Sequence, residues 1–348
     1  AQHILGLSKD YFGDRKDSTE ILDAVAAQYN EKSGLLNDII RPWHLWPNSK
    51  TNGWWSNFGL VEDRHGAYTN GSAVFYLLRT YRYLKLSQND IHSNWLTSSL
   101  KVLDTILSLQ REDGNYGFSY SCTEKKVEDW DGFAGCWFVG AMAYAYLETK
   151  EDKYLDSAKR AMNYYSKFVH DINVWGTPMD TWKSVDEEGN LAFIRAAHLL
   201  HSITKEDIYL QMLEQGAEYE YLWKYCYEAV PEYPPLKGSR FNSCGGNITS
   251  ISNPHMHPMG LMVATDLYYL YQCTGDTYHL QRYEDTISWA MHILELYPEV
   301  TGYGAYGVLT ERFCPTDGLI QATYADNQLG SMWFTFNGWA AANTLEGI

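Results

Sequence analysis

Between Val127 and Trp137 the chain sets Glu128, Asp129 and Asp131 among the indoles of Trp130 and Trp137, directly ahead of an apolar run that ends near Thr149. Acids at a helix N-terminus complement its macrodipole and cap it. One acid suffices for that. Three acids interleaved with indoles fit a site where a carboxyl passes a proton and flat rings stack on the faces of a sugar. Asp129 and Asp131 lie two residues apart, so at most one of them is a cap. Asp131 is the favoured proton donor, because Gly132 beside it lets a ligand approach closely. Asp63 precedes another apolar run in the same way and is the natural second carboxylate, unless an ion pair with Arg64 takes it for structure. Loops from neighbouring hairpins can bring such a pair to the roughly 5–10 Å separations that glycosidases use.

Other residues could line the same hollow. Trp54 and Trp55 follow Gly53 in a polar, glycine-rich loop, a poor place to bury two indoles, so they are expected to face ligand. His65, His255 and Arg312 are expected to contact hydroxyl or carboxylate groups, with Arg64, His257, Glu311 and Asp326 completing the cup. His255 and His257 are one residue apart, a spacing seen in some metal sites. No further ligand motif accompanies them, so no metal is assigned; a structural role for these histidines is the competing reading. Phosphate-cradling loops, dinucleotide fingerprints and the metalloprotease and serine-hydrolase motifs are absent, and no cofactor is expected.

The composition sets limits on partners. Of 348 residues 45% are hydrophobic and 15% aromatic, including 28 Tyr and 13 Trp, more rings than an aliphatic core needs. A net charge of -16 without a basic cluster argues against nucleic acid and against an anionic membrane. No run approaches a membrane span. The start of the chain does not read as a leader, although one removed earlier would leave the compartment open. The six cysteines show no CxxC pair. Cys136, Cys226 and Cys273 fall in helical patterns, where a reduced thiol is usual, so a disulfide framework is not expected.

The elements that must carry these residues are helices. Tyr144 to Leu155, Leu199 to Leu210 and Tyr269 to Leu280 repeat one pattern, with a looser copy from Tyr83 to Asp90. An apolar helix ends, a Thr-x-(Glu)-Asp turn follows, and an amphipathic helix begins with Tyr in its first turn; the Asp is the expected N-cap. The marking aspartates, Asp90, Asp152, Asp207 and Asp276, recur about every 60 residues, the size of a helical hairpin with one long loop. The first helix of each pair is apolar all round and therefore buried, whereas the second keeps a charged face. Buried helices are expected near 69–86, 132–148, 188–203, 256–273 and 328–346, and amphipathic ones near 18–30, 92–110, 153–168, 206–228 and 277–296. An inner ring inside an outer ring is an all-α, α/α toroid in one domain (1–348). Five pairs give an incomplete toroid; a six-pair barrel needs a further hairpin, for which 33–45 is the candidate. Loops ahead of inner helices open on one end, where the acids and rings would meet.

The stretch from Val127 to Phe138, followed by Leu147 to Ala158, resembles the six-hairpin glycosidases, above all the unsaturated glucuronyl and rhamnogalacturonyl hydrolases. That resemblance implies an (α/α)6 barrel in which an acid ahead of the second inner helix donates a proton, here Asp131 or Asp129. A further acid stands ahead of the preceding inner helix, here Asp63. It implies a glycoside hydrolase acting on oligosaccharides, including uronic-acid-containing glycans. A looser similarity links the chain to the α-mannanases, whose two aspartates are contiguous; here Trp130 separates Asp129 from Asp131. Related toroids are polysaccharide lyases, which work by β-elimination with Tyr and His, and abundant Tyr keeps that alternative open. A non-catalytic glycan-binding toroid is the third reading, and the acid cluster counts against it. The Gln110 to Gly117 turn resembles one in terpene-cyclase toroids, but the acidic motifs of those enzymes are missing.

Overall fold

The computed structural model describes residues 16–37, 64–177, 183–251, 255–295, 309–315, 320–321, 329–330, 332 and 338–348. Trp54, Trp55, Asp63 and Asp326 lie outside the described residues. The chain forms two compact units, Ala1–Tyr209 and Leu210–Ile348.

In the first unit α1 (Lys16–Ala26) packs on α3 (Ser93–Leu109), and α2 (Ala67–Gln88) packs on α3 and α4 (Trp137–Thr149). The helix α4 in turn packs against α5 (Asp152–His170) and α6 (Glu188–Thr204). The three expected inner helices, α2, α4 and α6, thus lie side by side with α4 in the middle. Its sequence explains why. Every residue from Trp137 to Ala143, and Ala145, is buried, and the small side chains let neighbours close in. A Cβ on Gly71 would meet Trp137, and one on Gly140 would meet Phe75, so α2 and α4 touch almost backbone to backbone.

The hairpin turns show what the repeat encodes. The helices α2, α4 and α6 end in left-handed residues, Asn89, Lys150 and Lys205. Thr149 Oγ1 donates to the carbonyl of Ala145 and accepts from the N–H of Glu151; Thr204 does the same with Leu200 and Glu206. The threonine is therefore the pivot of the turn, satisfying a terminal carbonyl and starting the next helix. The aspartates were expected to be caps. Asp152 and Asp207 instead sit in the first turn of α5 and α7 (Asp207–Tyr221), where their charge suits the helix dipole.

In the second unit α8 (Ala264–Thr274) and α9 (Thr277–Glu295) form a hairpin with the same pivot, Thr274 bonding Leu270 and the N–H of Asp276. Here the aspartate does cap: Asp276 Oδ1 accepts from the N–H of Tyr278. Helix α10 (Gly338–Gly347) packs against the short 3-10 helix Pro258–Val263 that leads into α8. Met256, Trp289, Phe313 and Leu236 centre an apolar cluster. Beside it Lys224, buried, donates to Asn247 Oδ1 at 2.6 Å, and Asn247 donates to Glu220 Oε1. Each of the ten expected helices has a counterpart among the described residues, but the last is shorter than expected, Gly338–Gly347 against 328–346, with Leu329–Gly330 in a short strand. Residues 33–37 are a turn and a short strand, and the rest of 33–45 lies outside the described residues.

Candidate active site at the mouths of the inner helices

Three short strands gather the segments that enter α2 and α4. The strand β4 (Ser119–Ser121) lies between β3 (Arg64–Gly66) and β5 (Val127–Asp129), all antiparallel. Gly66 and Asp129 both oppose Ser119, so the mouth of α2 and the mouth of α4 are edges of one sheet. A third segment joins them. Gly176 accepts backbone hydrogen bonds from Phe133 and Ala134, and Trp175 pairs with Val185 just ahead of α6. Gly132, at φ +135, makes the approach possible: a Cβ there would lie 2.7 Å from the Gly176 oxygen. The three entry segments are thus hydrogen-bonded into one rim.

On that rim Asp129 is half-buried and fully engaged. Its Oδ1 accepts from the N–H of Asp131 at 2.9 Å, and its Oδ2 is 2.8 Å from Lys183 Nζ. The Lys183 ammonium also lies 4.9 Å from the ring centroid of Phe118 and 5.9 Å from that of Trp175, a cation against two π faces. Asp131 is exposed. Trp130 between them is half-buried, its carbonyl held by Asn115 Nδ2 and its ring covered on one side by the Arg111 guanidinium at 5.2 Å. Asn115 also donates to Tyr164, whose hydroxyl pKa is raised by burial first and then by Asp113, with Asp131 adding to it. The Gln110 to Gly117 turn, with Gly114 at φ +100, therefore braces the site: Gln110 holds the backbone oxygens of Gly114 and Ser157.

Burial changes the reading of two expected residues. Trp137 is 3% exposed and packed edge-on against Tyr68 and Phe75, which makes it a core ring without a free face for a pyranose. His65 is buried, its Nε2 3.0 Å from Ser33 Oγ, and ties β3 to the turn between the short strands β1 (Tyr29–Asn30) and β2 (Leu35–Leu36). Arg64, expected to help complete the cup or else to pair with Asp63, is exposed at the sheet edge.

Sequence reasoning passed over the acids ahead of α6. Asp186 and Glu187 are adjacent and buried, and Asp186 Oδ1 caps α6 through the N–H of Gly189. Asn190 and Arg195 on the same helix are buried too, with Arg195 Nη1 donating to Tyr76 Oη at 2.8 Å. The signal was present: Asp186-Glu187-Glu188 stands before the third inner helix as Glu128-Asp129-Trp130-Asp131 stands before the second. Lys183 carried no signal, since only folding shows that it reaches Asp129.

In the second unit the residue pair Met256 and Phe313 exchanges both backbone hydrogen bonds at 2.9 Å. Their side chains enter the apolar cluster, so the neighbouring His257 and Arg312 share the other face of this short ladder. Burial pushes the His257 imidazole down to about 3, with the charges of Arg312 and His255 adding to it. His257 is therefore neutral at any ordinary pH. Arg312 Nε donates to Glu311 Oε1 at 3.1 Å. His255, His257, Glu311 and Arg312 thus form one neighbourhood. Among the described residues no group of three His, Cys, Asp or Glu could hold a metal, and no helix is long and apolar enough to cross a membrane.

No protein-family model and no curated protein sequence matches the chain. Solved structures do. A D-mannose isomerase aligns over 99% of this chain and 85% of its own, with TM-score 0.59 and 13% identity. A sugar epimerase from a ruminal bacterium aligns over 84% and 71%, at TM-score 0.57 and 11% identity. An inactive variant of the α-1,6-mannanase GH76A of Salegentibacter sp. HEL1_6, in complex with α-1,6-mannotriose, aligns over 84% and 72%, at TM-score 0.50 and 14% identity. The fold is the α/α toroid. Within it, Asp129, Asp131, Asp186 and Glu187 stand at the amino ends of two adjacent inner helices. Carbonyl-side helix ends repel anions, whereas amino ends stabilise them, so carboxylates are favoured at this end of the helices.

Proposed function

We propose that this chain is a carbohydrate-active enzyme, a glycoside hydrolase acting on oligosaccharides by carboxylate acid and base catalysis. The observation that carries the reading is the rim itself, where acids from the entries of α4 and α6 lie on segments hydrogen-bonded to one another. Asp131 is the proton donor to the glycosidic oxygen. Its exposed carboxyl is free of the ion pair that engages Asp129 and is open to a sugar bound at the rim. Asp129 is the positioning residue, fixing the Asp131 backbone from one side and Lys183 from the other. The second carboxylate, which orients or activates water at the anomeric carbon, is Asp63; the buried Asp186 serves instead as the cap of α6. Trp130, Trp54 and Trp55 supply stacking faces, and Arg64 supplies charge for a uronate or hydroxyl.

The test is a panel of plant, algal and host glycan oligosaccharides with product masses measured. A gain of one water per cleavage, lost in Asp131→Asn with the melting temperature unchanged, supports the reading. Unsaturated ends indicate elimination instead.

The solved structures support a second reading: the mannose isomerase and sugar epimerase share the fold, so a free aldose converted to an isomer of equal mass would favour isomerisation over hydrolysis.

A further inference from the structure

The second unit contains a pair of cysteines that its backbone places side by side. After α7 the chain runs extended and pairs antiparallel with the segment around β6 (Asn247–Ile248): the N–H of Ile248 donates to Trp223, and Lys224 pairs with Asn247. Gly245, at φ +94, then inserts a bulge. The N–H of Tyr225 donates to Gly246 and the N–H of Gly245 donates to Tyr225, so one residue opposes two. Beyond the bulge the N–H of Gly246 donates to the Ser243 carbonyl, so Cys244 and Gly245 are the corners of a tight turn. Ser243 Oγ donates to the Tyr227 carbonyl and Asn242 Nδ2 to Glu228 Oε1, which ties the far side of that turn to the residues after Cys226. Cys226 and Cys244 are therefore neighbours, since Tyr225 is bonded to Gly245 and Tyr227 to Ser243.

Two further observations fit this arrangement. The rings of Tyr225 and Tyr227 lie together at 5.4 Å, and Tyr225 packs on the apolar cluster, so Cys226 between them points the other way, and it is exposed. The N–H of Cys244 is bonded to Asn242 Oδ1 and makes no bond across the ladder. The two cysteines thus sit side by side across the bulge, the arrangement from which a disulfide forms. Both are thiols in this structure.

We propose that Cys226 and Cys244 are a thiol pair that closes reversibly into a cross-strand disulfide, clasping residues 227–243. With a peroxide as oxidant, the Cys226 thiolate attacks the O–O bond and becomes a sulfenic acid, releasing the first water once a proton is supplied. The Cys244 sulfur then attacks that sulfur and expels the second water. Two thiols are oxidised and one peroxide is reduced to two waters; a dithiol reductant reverses the bond by exchange. The order follows from exposure: Cys226 is open to solvent, while burial, then Asp285 and Cys226, push the Cys244 thiol up, which makes it the slower nucleophile.

The experiment treats the folded full chain with hydrogen peroxide and maps unreduced peptides by mass. The expected result is a crosslink between Cys226 and Cys244 with a loss of about 2 Da, the two thiol hydrogens. A dithiol should reverse it, C226S and C244S should each lack it, and C273S should keep it. The oxidised chain should melt higher than the reduced chain, a shift that C226S abolishes. Oxidation of the two cysteines to separate acids, or crosslinks that form equally well through Cys273, would overturn the proposal.

Discussion

Lys183 Nζ lies 2.8 Å from Asp129 Oδ2, joining the segment that enters α6 to the strand that enters α4. The pair is nearly enclosed, with side-chain exposures of 13% and 20%. Removing the ammonium would leave a half-buried carboxylate with one partner fewer. Lys183→Met should cost about 1–3 kcal/mol in urea unfolding, and turnover should fall because Asp131 hangs from the same carboxylate. Combining it with Asp129→Asn should cost less than the sum of the two changes. Strict additivity would mean the ion pair does not hold the rim together.

Gly132→Ala tests the closeness of the same segments. The new methyl would meet the Gly176 oxygen and Phe118 Cδ2 at under 3 Å, at a φ of +135 that an alanine resists. The Gly176 oxygen is fixed by two N–H donors and cannot move away without losing them. A loss of about 2 kcal/mol or more is expected from urea unfolding. A near-neutral alanine would show the rim to be looser than described.

These segments also mark the limit of what the sequence discloses. The helices were legible because their periodicity is local: Thr149, Thr204 and Thr274 recur at the same place in each hairpin, and α4 is apolar on every side. The neighbourhood of His257 and Arg312 was anticipated as residues, but not their pairing, which depends on Met256 meeting Phe313 across 57 positions of chain. Lys183 and Asp129 are 54 positions apart in sequence, and no periodicity records such a contact. Trp137 misled for a related reason. An indole at a helix mouth reads as ligand-facing, whereas its burial depends on how closely Gly71 of α2 approaches it.

Glu148 should govern part of the acid stability of the first unit. Burial pushes its carboxyl up, but hydrogen bonds from Lys85 and Arg82 outweigh that and hold it below the ordinary carboxylate value. A depressed carboxylate stabilises above its unfolded pKa of about 4.3, and the contribution is lost as pH falls through the lower folded value. Glu148→Gln should cost about 2–3 kcal/mol at neutral pH, and the gap to the parent protein should narrow in melting curves below pH 4. A gap independent of pH would contradict the ion-pair account.

His257 works with the opposite proton balance. Its folded pKa is about 3 against about 6.5 unfolded. Between these values the unfolded chain binds the proton that the folded chain refuses, so stability falls as pH drops from about 6.5 towards 3 and is flat above. His257→Gln should remove this slope while keeping much of the volume. Melting temperatures at pH 7 and pH 5 check it; an unaltered slope would show that other groups carry the acid sensitivity.

The central claim is that Asp131 on the α4 entry donates the proton that cleaves a glycosidic bond, and the most direct measurement is the mass of products from an oligosaccharide panel with the parent protein and Asp131→Asn side by side. The account predicts fragments heavier by one water per cleavage, with turnover reduced by about two to four orders of magnitude in the variant at an unchanged melting temperature. Equal turnover in the two proteins, or products of the same mass as the substrate, would contradict it.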